Sequence, residues 1–171
     1  MLEIETKIAD INRKSLEKQF KAKKVKFLEK VFFKRWVFPL SQKNGEDNYI
    51  RVRTDGKKST LTYKFRKGKG LRNTEEVETE VESFDRTVEI LSKLIKEKYY
   101  QETTREIYSY KRVEITINKW PRIPEYIEIE GPSVKEIYGC IKDLKIEGKV
   151  LGNISVVKLY KFYGKDIRKS K

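Results

Sequence analysis

The chain has 171 residues, with 40 Lys or Arg against 26 Asp or Glu, a formal charge of +14, no histidine and one cysteine. That length suits a single domain over residues 1–171 with its own apolar core and no need of covalent staples. The missing histidine excludes Ser-His-Asp triads, Cys-His pairs and histidine-ligated zinc or haem, and lone Cys140 rules out an intrachain disulfide or a thiolate metal cluster. Any chemistry must therefore run on Glu, Asp, Lys, Arg, Tyr or a metal held by oxygen. The aromatic content of 12% speaks for a folded chain despite 39% charged residues. Apolar runs are too short for a membrane helix, and the opening MLEIETKIAD is acidic and strand-like, unlike a signal peptide. A cytoplasmic protein is the expectation.

In chain order, residues 2–8 alternate as a strand, and residues 10–24 form a polar amphipathic helix with Asp10 as its expected N-cap. Strands follow at about 30–38, 48–54 and 59–66, parted by the turn signals Asn44-Gly45 and Asp55-Gly56. A basic loop, Lys67-Gly68-Lys69-Gly70, leads into a strand at about 74–82. Val88, Leu91, Leu94 and Ile95 stand at helical spacing and predict a helix over 85–98. Strands resume at about 99–110, 112–118 and 125–130, and the tail from Ser133 reads as mostly helical, broken at Gly148 and Gly152. Trp36 and Trp120 read as capping or core aromatics, and Cys140 as a buried, inert thiol. The whole predicts an α+β protein built on an antiparallel meander or barrel.

Successive strand residues point to opposite faces, so charge can be read face by face. Residues 2–8 oppose Leu2, Ile4, Thr6 and Ile8 to Glu3, Glu5 and Lys7. Ile50 and Val52 oppose Arg51 and Arg53; Leu61, Tyr63 and Phe65 oppose Thr62, Lys64 and Arg66. Glu76, Glu78 and Glu80 share one face, as do Glu128 and Glu130. Any one such face is ordinarily solvated. Together, however, the strands sort acids from bases, whereas solvated faces mix signs so that neighbours pair. A sheet curled to turn these faces inward would hold a carboxylate wall and a Lys/Arg wall. Unpaired buried charge is costly, so such an interior calls for a polyanion bridged to the acids by divalent cations.

These residues resemble the CYTH family, the triphosphate tunnel metalloenzymes, which includes class IV adenylyl cyclases, thiamine triphosphatases and inorganic triphosphatases. The family's opening Glu-x-Glu-x-Lys stands here as Glu3-Ile4-Glu5-Thr6-Lys7. It is followed in order by Arg51-Val52-Arg53, Leu61-Thr62-Tyr63-Lys64, Glu76-Val77-Glu78, Arg105 with Tyr108, and Tyr126-Ile127-Glu128-Ile129-Glu130. The resemblance covers roughly residues 1–160 and implies an eight-stranded antiparallel β-barrel, a triphosphate tunnel, with helices packed outside. It implies that Lys7, Arg51, Arg53, Lys64 and Arg105 grip a triphosphate, arginine as a planar fork and lysine as a movable charge. Glu3, Glu5, Glu128 and Glu130 would hold Mg²⁺ or Mn²⁺, and Glu76 and Glu78, with Lys7, would serve catalysis by orienting water or a second metal. Leu2, Ile4, Ile8, Ile50, Val52, Leu61, Tyr63, Ile127 and Ile129 would face the helices as core. The chain departs from the family at Asn118 (often Asp), Thr74 (often Arg) and Thr103 (often Lys), and Ser155-Val156 matches the Ser-Tyr element only in part.

The expected function is divalent-metal-dependent hydrolysis of a triphosphate: tripolyphosphate, ATP or another nucleoside triphosphate, or thiamine triphosphate. The alternative is a class IV adenylyl cyclase making cyclic AMP and pyrophosphate from ATP; no nucleoside-reading element is evident in the sequence. A second alternative is a non-catalytic module binding polyphosphate or triphosphorylated nucleic acid, prompted by the tail bases Lys158, Lys161, Lys165, Arg168, Lys169 and Lys171. Neither a membrane nor a nucleic-acid partner is expected, and a homodimer is compatible with the reading. The five proposed tunnel bases fall one short of the six tunnel glutamates, so the net positive charge belongs to the surface, where it steers anions.

Overall fold

The computed structural model describes residues 2–40, 47–66 and 74–169, without the side chains of residues 2, 3, 47, 66 and 74. The Asn44-Gly45 turn and the Lys67–Gly70 loop lie outside the described residues. Among the described residues there are ten strands: β1 (Leu2–Glu3), β2 (Glu5–Ala9), β3 (Lys26–Pro39), β4 (Asp47–Thr54), β5 (Ser59–Arg66), β6 (Thr74–Glu80), β7 (Tyr99–Tyr110), β8 (Val113–Lys119), β9 (Tyr126–Glu130) and β10 (Lys149–Gly152). Four α-helices accompany them: α1 (Arg13–Ala22), α2 (Phe84–Leu94), α3 (Val134–Asp143) and α4 (Val156–Phe162), with a 3-10 turn at Ile167–Lys169. None of the described helices is long and apolar enough to cross a membrane.

All strands belong to one antiparallel sheet in the order β1-β6-β5-β4-β3-β7-β8-β9-β2-β10. Strands β1 and β2 are one run of chain interrupted at Ile4. The first part pairs with β6 (Leu2↔Glu75, Glu3↔Thr74) and the second with β9 (Glu5↔Glu130 to Ile8↔Ile127). The two ends of the sheet are thus joined through the covalent chain rather than by an unbroken ladder. If residues 2–9 are counted once, eight strands surround the interior and β10 adds a short outer edge. The expected antiparallel tunnel of eight strands with helices outside is thus present, a barrel only in the loose sense because its closure lacks a continuous set of hydrogen bonds.

The core lies outside the tunnel. Ile4, Ile8, Ile115, Ile117, Ile127 and Ile129 project outward onto Leu16 and Phe20 of α1 and Ile137, Cys140 and Leu144 of α3. Each such side chain, fully buried, contributes about 1.5–3 kcal/mol. A second cluster joins Trp120, Ile123 and Tyr126 to Leu159, Tyr160 and Ile167, tying the C-terminal segment to the end of the sheet. Helix α1 starts later than expected: Asn12, not Asp10, is its N-cap, with its side-chain oxygen accepting from the Ser15 N–H at 3.1 Å. Asp10 instead turns in the left-handed region (φ 54) and accepts from the Tyr163 hydroxyl at 2.9 Å. Helix α2 ends at Leu94 rather than 98. At α3, Ser133 is the N-cap, accepting from the Glu136 N–H at 3.2 Å while its hydroxyl donates to the Glu136 carboxylate at 2.8 Å.

The tail is less helical than the sequence implies, since β10 intervenes. Gly148 makes that strand possible: a Cβ there would lie 2.6 Å from the Ala9 carbonyl oxygen, and its φ is 145. The expected core is also corrected over the second half of the sheet, where Ile50 and Leu61 are half-buried and Tyr63 is 38% exposed. Helix α2 covers that face only partly, with contacts to β4 and β5 and no fully buried residue of its own.

Candidate active site

The inward faces of the strands enclose a cavity of about 230 Å³ lined by charged residues from β2 through β9. Alternation places them there: Glu5 and Lys7 on β2, Arg51 and Arg53 on β4, Lys64 on β5, Glu76 on β6, Arg105 on β7, Glu128 and Glu130 on β9. Register orders them into arcs. Strands β7, β3 and β4 are neighbours, and the charged residues they turn to the cavity are all bases: Arg105, Arg35, Arg51 and Arg53. Across the cavity, β6, β2, β9 and β8 supply the carboxylates Glu76, Glu5, Glu128, Glu130 and Glu114. The sorting inferred strand by strand from sequence is therefore a sorting by side of the cavity.

Ion pairs link the arcs at their borders. The Lys7 ammonium lies 2.9 Å from Glu128 and 3.1 Å from Glu5. Lys64 lies 2.6 Å from Glu76, Arg51 lies 3.6 Å from Glu76 and 3.3 Å from Glu78, and Arg53 lies 3.7 Å from Glu78. Arg105 reaches Glu128 at 3.4 Å and donates through Nε to the Asn118 side-chain oxygen at 2.9 Å. Asn118 in turn donates to Thr116 Oγ1 at 2.9 Å and to Glu128 at 3.5 Å, so the departure from Asp leaves a neutral bridge between base and acid. Thr62 donates to Glu78 at 2.6 Å and accepts from Arg51 at 3.1 Å.

Protonation follows from this placement. Burial pushes the Glu5 carboxyl up, against the pull of Lys7 and with the help of nearby Glu128. Burial opposes the charge of Glu128 too, but Lys7 and Arg105 outweigh it and hold that carboxyl well below the usual range. Burial likewise works against Glu76, and Lys64 and Arg51 overcome it, so its carboxyl sits low. On the basic arc, burial first and then Arg51 and Arg105 draw Arg53 down to about 10.

Of the sequence-predicted residues, Lys7, Arg51, Arg53, Lys64, Arg105, Glu5, Glu76, Glu128 and Glu130 line this one cavity. Glu78 joins them through Arg51, Arg53 and Thr62. Glu130 is exposed at the rim, directly opposite both Glu5 and Glu114 in register. The Glu3 backbone pairs with Thr74, while both side chains lie outside the described residues. Among the described residues, no three acids already converge on one point as metal ligands would.

Sequence reasoning missed Arg35, which is 4% exposed and lines the cavity from β3. Trp120, expected as a capping or core aromatic, is buried in the second cluster, and its ring also lies against Arg35, with the guanidinium carbon 4.5 Å from the ring centroid. The signal for Arg35 was faint. Along β3, Phe33 and Val37 share its face while Phe32, Trp36 and Phe38 share the other, so both faces are apolar and Lys34-Arg35 fits either phase.

The fold has solved counterparts. The PH1819 protein of Pyrococcus horikoshii OT3 superposes with a TM-score of 0.72 at 20% identity, covering 94% of this chain and 99% of that one. A candidate adenylate cyclase from Bacillus halodurans gives 0.63 at 14% identity, covering 93% and 97%. The Hippeastrum protein HpAC1, a candidate adenylyl cyclase described by its dominant triphosphatase activity, gives 0.62 at 14% identity, covering 96% of each chain. These likenesses concern the fold alone. No curated protein matches the sequence. The CYTH domain family model matches residues 1–149, the stretch that supplies every charged strand of the cavity, and the chain belongs to the CYTH domain family.

Proposed function

We propose that the chain, as one domain over residues 1–171, is a divalent-cation-dependent enzyme that hydrolyses a triphosphate in this cavity. One observation carries the reading: an arc of three adjacent strands whose charged cavity-lining residues are all arginine faces a carboxylate arc across a single space. A linear polyanion on the basic side, bridged by cations to the acids, satisfies both. The dominant triphosphatase activity of the Hippeastrum fold relative favours hydrolysis over cyclisation.

The residues suit a hard cation. All the donors are carboxylate oxygens, the ligands Mg²⁺ and Mn²⁺ prefer. Glu5, Glu130 and Glu114 stand directly opposite one another on three adjacent strands, an arrangement of like charges that is destabilising unless a cation lies among them. Glu5, Glu128 and Glu130, with Glu3, would hold the ion. Bound there, it would neutralise phosphate oxygens and strengthen the phosphorus as an electrophile.

The chain's own groups divide the remaining work. Arg51, Arg53 and Arg105 grip non-bridging oxygens through their planar forks, Lys64 holds the bound polyanion as a point charge, and Lys7 follows charge as it shifts to the leaving group. Phosphoryl transfer is mostly positioning and charge stabilisation, so these contacts supply much of the rate. Glu78 is partly exposed, bonded to Thr62 and the arginines, and is placed to orient the attacking water; Glu76, held ionised by Lys64 and Arg51, keeps those bases aligned.

The test is turnover of tripolyphosphate, ATP and thiamine triphosphate with Mg²⁺ or Mn²⁺, scoring phosphate, pyrophosphate and cyclic AMP separately. Metal-dependent release of phosphate is expected, and EDTA should abolish it. Cyclic AMP as the main product would replace hydrolysis by cyclisation. Tight polyphosphate binding without turnover would make the chain a binding module.

A further inference from the structure

Every base around the cavity has an acid within ion-pair distance except Arg35, among the described residues. Lys7, Lys64, Arg51, Arg53 and Arg105 each lie within 3.7 Å of a glutamate. Arg35 has one hydrogen-bond partner, the Thr103 hydroxyl at 2.5 Å, and its buried Nε–H has none. Its Cα partner across the ladder is Arg53, a like-charge pair directly opposed on the inner face. The Phe33 ring lies near both guanidiniums, its centroid 5.7 Å from the guanidinium carbon of Arg35 and 4.6 Å from that of Arg53. Trp120 covers one side of Arg35, so an anion must approach from the cavity.

A buried cation with no counter-ion, set beside three others, is costly in the free protein. Burial, followed by Arg51, Arg105 and Arg53, pulls the Arg35 guanidinium well below its ordinary value, the mark of charge left uncompensated. The fold tolerates this because a ligand anion completes the set. The stretch of wall around Arg35 and Arg53, poor in acids, suits the most charged part of a polyphosphate. A terminal phosphoryl group has three free oxygens and up to two charges, whereas an internal one has two oxygens and one charge.

We infer that Arg35, with Arg53 and Arg105, forms a subsite for the terminal phosphoryl group of the substrate; this rests on the triphosphate reading above. Arg35 also takes over the place of a base on β7. Thr103, where the family often carries lysine, is the residue its guanidinium touches, so the cation at this point comes from β3 instead.

The experiment compares wild type, Arg35→Met, Arg35→Lys and Arg35→Met/Thr103→Lys by calorimetric titration with tripolyphosphate and with cyclic trimetaphosphate, which has no terminal phosphoryl group. Arg35→Met should lose about 10- to 100-fold in tripolyphosphate affinity, the scale of charge-assisted hydrogen bonds, and change little toward trimetaphosphate. Its melting temperature without polyphosphate should rise, because an uncompensated buried charge is gone. Arg35→Lys should fall between the two, and Thr103→Lys in the Met background should recover most of the affinity. Unchanged tripolyphosphate binding in Arg35→Met would overturn the subsite and leave the triphosphate reading intact. Equal losses toward both probes, or a lowered melting temperature in the free protein, would also overturn it, making Arg35 a general charge or a structural strut. A wild-type protein that binds no tripolyphosphate would sink the triphosphate reading itself, and the subsite with it.

Discussion

Along β8, β9 and β2 the outer isoleucines are sealed beneath α1 and α3, whereas along β5 and β6 Tyr63 and Val77 remain 38% and 61% exposed. The inner faces of these two stretches carry similar charge, and each has an ion-paired lysine. The difference lies only on the outside, where α2 rests on β4 and β5 and leaves Leu94 75% exposed. Stability and ligand contact are thus unevenly shared. The sealed side anchors the fold, and the thin side carries Arg51, Arg53, Lys64, Glu76 and Glu78, most of the proposed phosphate grip. Weakly covered strands open at lower free energy than core strands, which places adjustability beside the proposed substrate site.

Substitutions can break this contrast. Ile129→Ala, on the sealed side, should cost about 2–5 kcal/mol in denaturant unfolding, the usual range for a fully buried isoleucine. Glu5→Gln tests the interior of the same side. It should reduce Mg²⁺-dependent turnover by about 100-fold or more while leaving the melting temperature unharmed, since burial already raises that carboxyl. Retained activity in Glu5→Gln would sink the metal assignment. On the thin side, Lys64→Ala should raise KM for tripolyphosphate about 10-fold with a smaller change in kcat, as loss of one charged contact implies. Val77→Ala should stay within about 0.5 kcal/mol of wild type, and a cost near that of Ile129→Ala would show that the thin wall is covered in solution. The smallest effect concerns Cys140, whose thiol is pushed up to about 12 by burial and then by Asp143. The reactive thiolate forms only as pH climbs toward that value, so labelling with a thiol reagent at pH 8 should be much slower than for free cysteine, whose pKa is about 8.5.

The charged interior was legible because a strand's alternation fixes which residues share a face, and charge marks the face. Glu5 and Lys7, Arg51 and Arg53, Lys64, and Glu128 needed nothing more. The outer side was less so: alternation says that Tyr63 and Val77 oppose the charged residues, but their burial depends on how closely a helix packs there. Arg35 was hidden because both faces of β3 carry aromatics. Asn12 and Asp10 are chemically equal as caps, and the left-handed turn at Asp10 decides between them. Strand β10 was masked by its glycines, which read as breakers yet admit the close approach to Ala9.

The strand that changes partners at Ile4 has a consequence for synthesis. Its first half waits for β6 and its second half for β9; Lys7 and Glu128 are 121 residues apart. At about 5–20 residues per second, that interval lasts about 6–24 s on the ribosome. Throughout it, an exposed strand edge must avoid pairing with other nascent chains. Glu3, Glu5 and Lys7, alternating along one face, give that edge the charge that discourages such pairing. Glu5 and Lys7, which later line the cavity, thus protect the chain before any cavity exists.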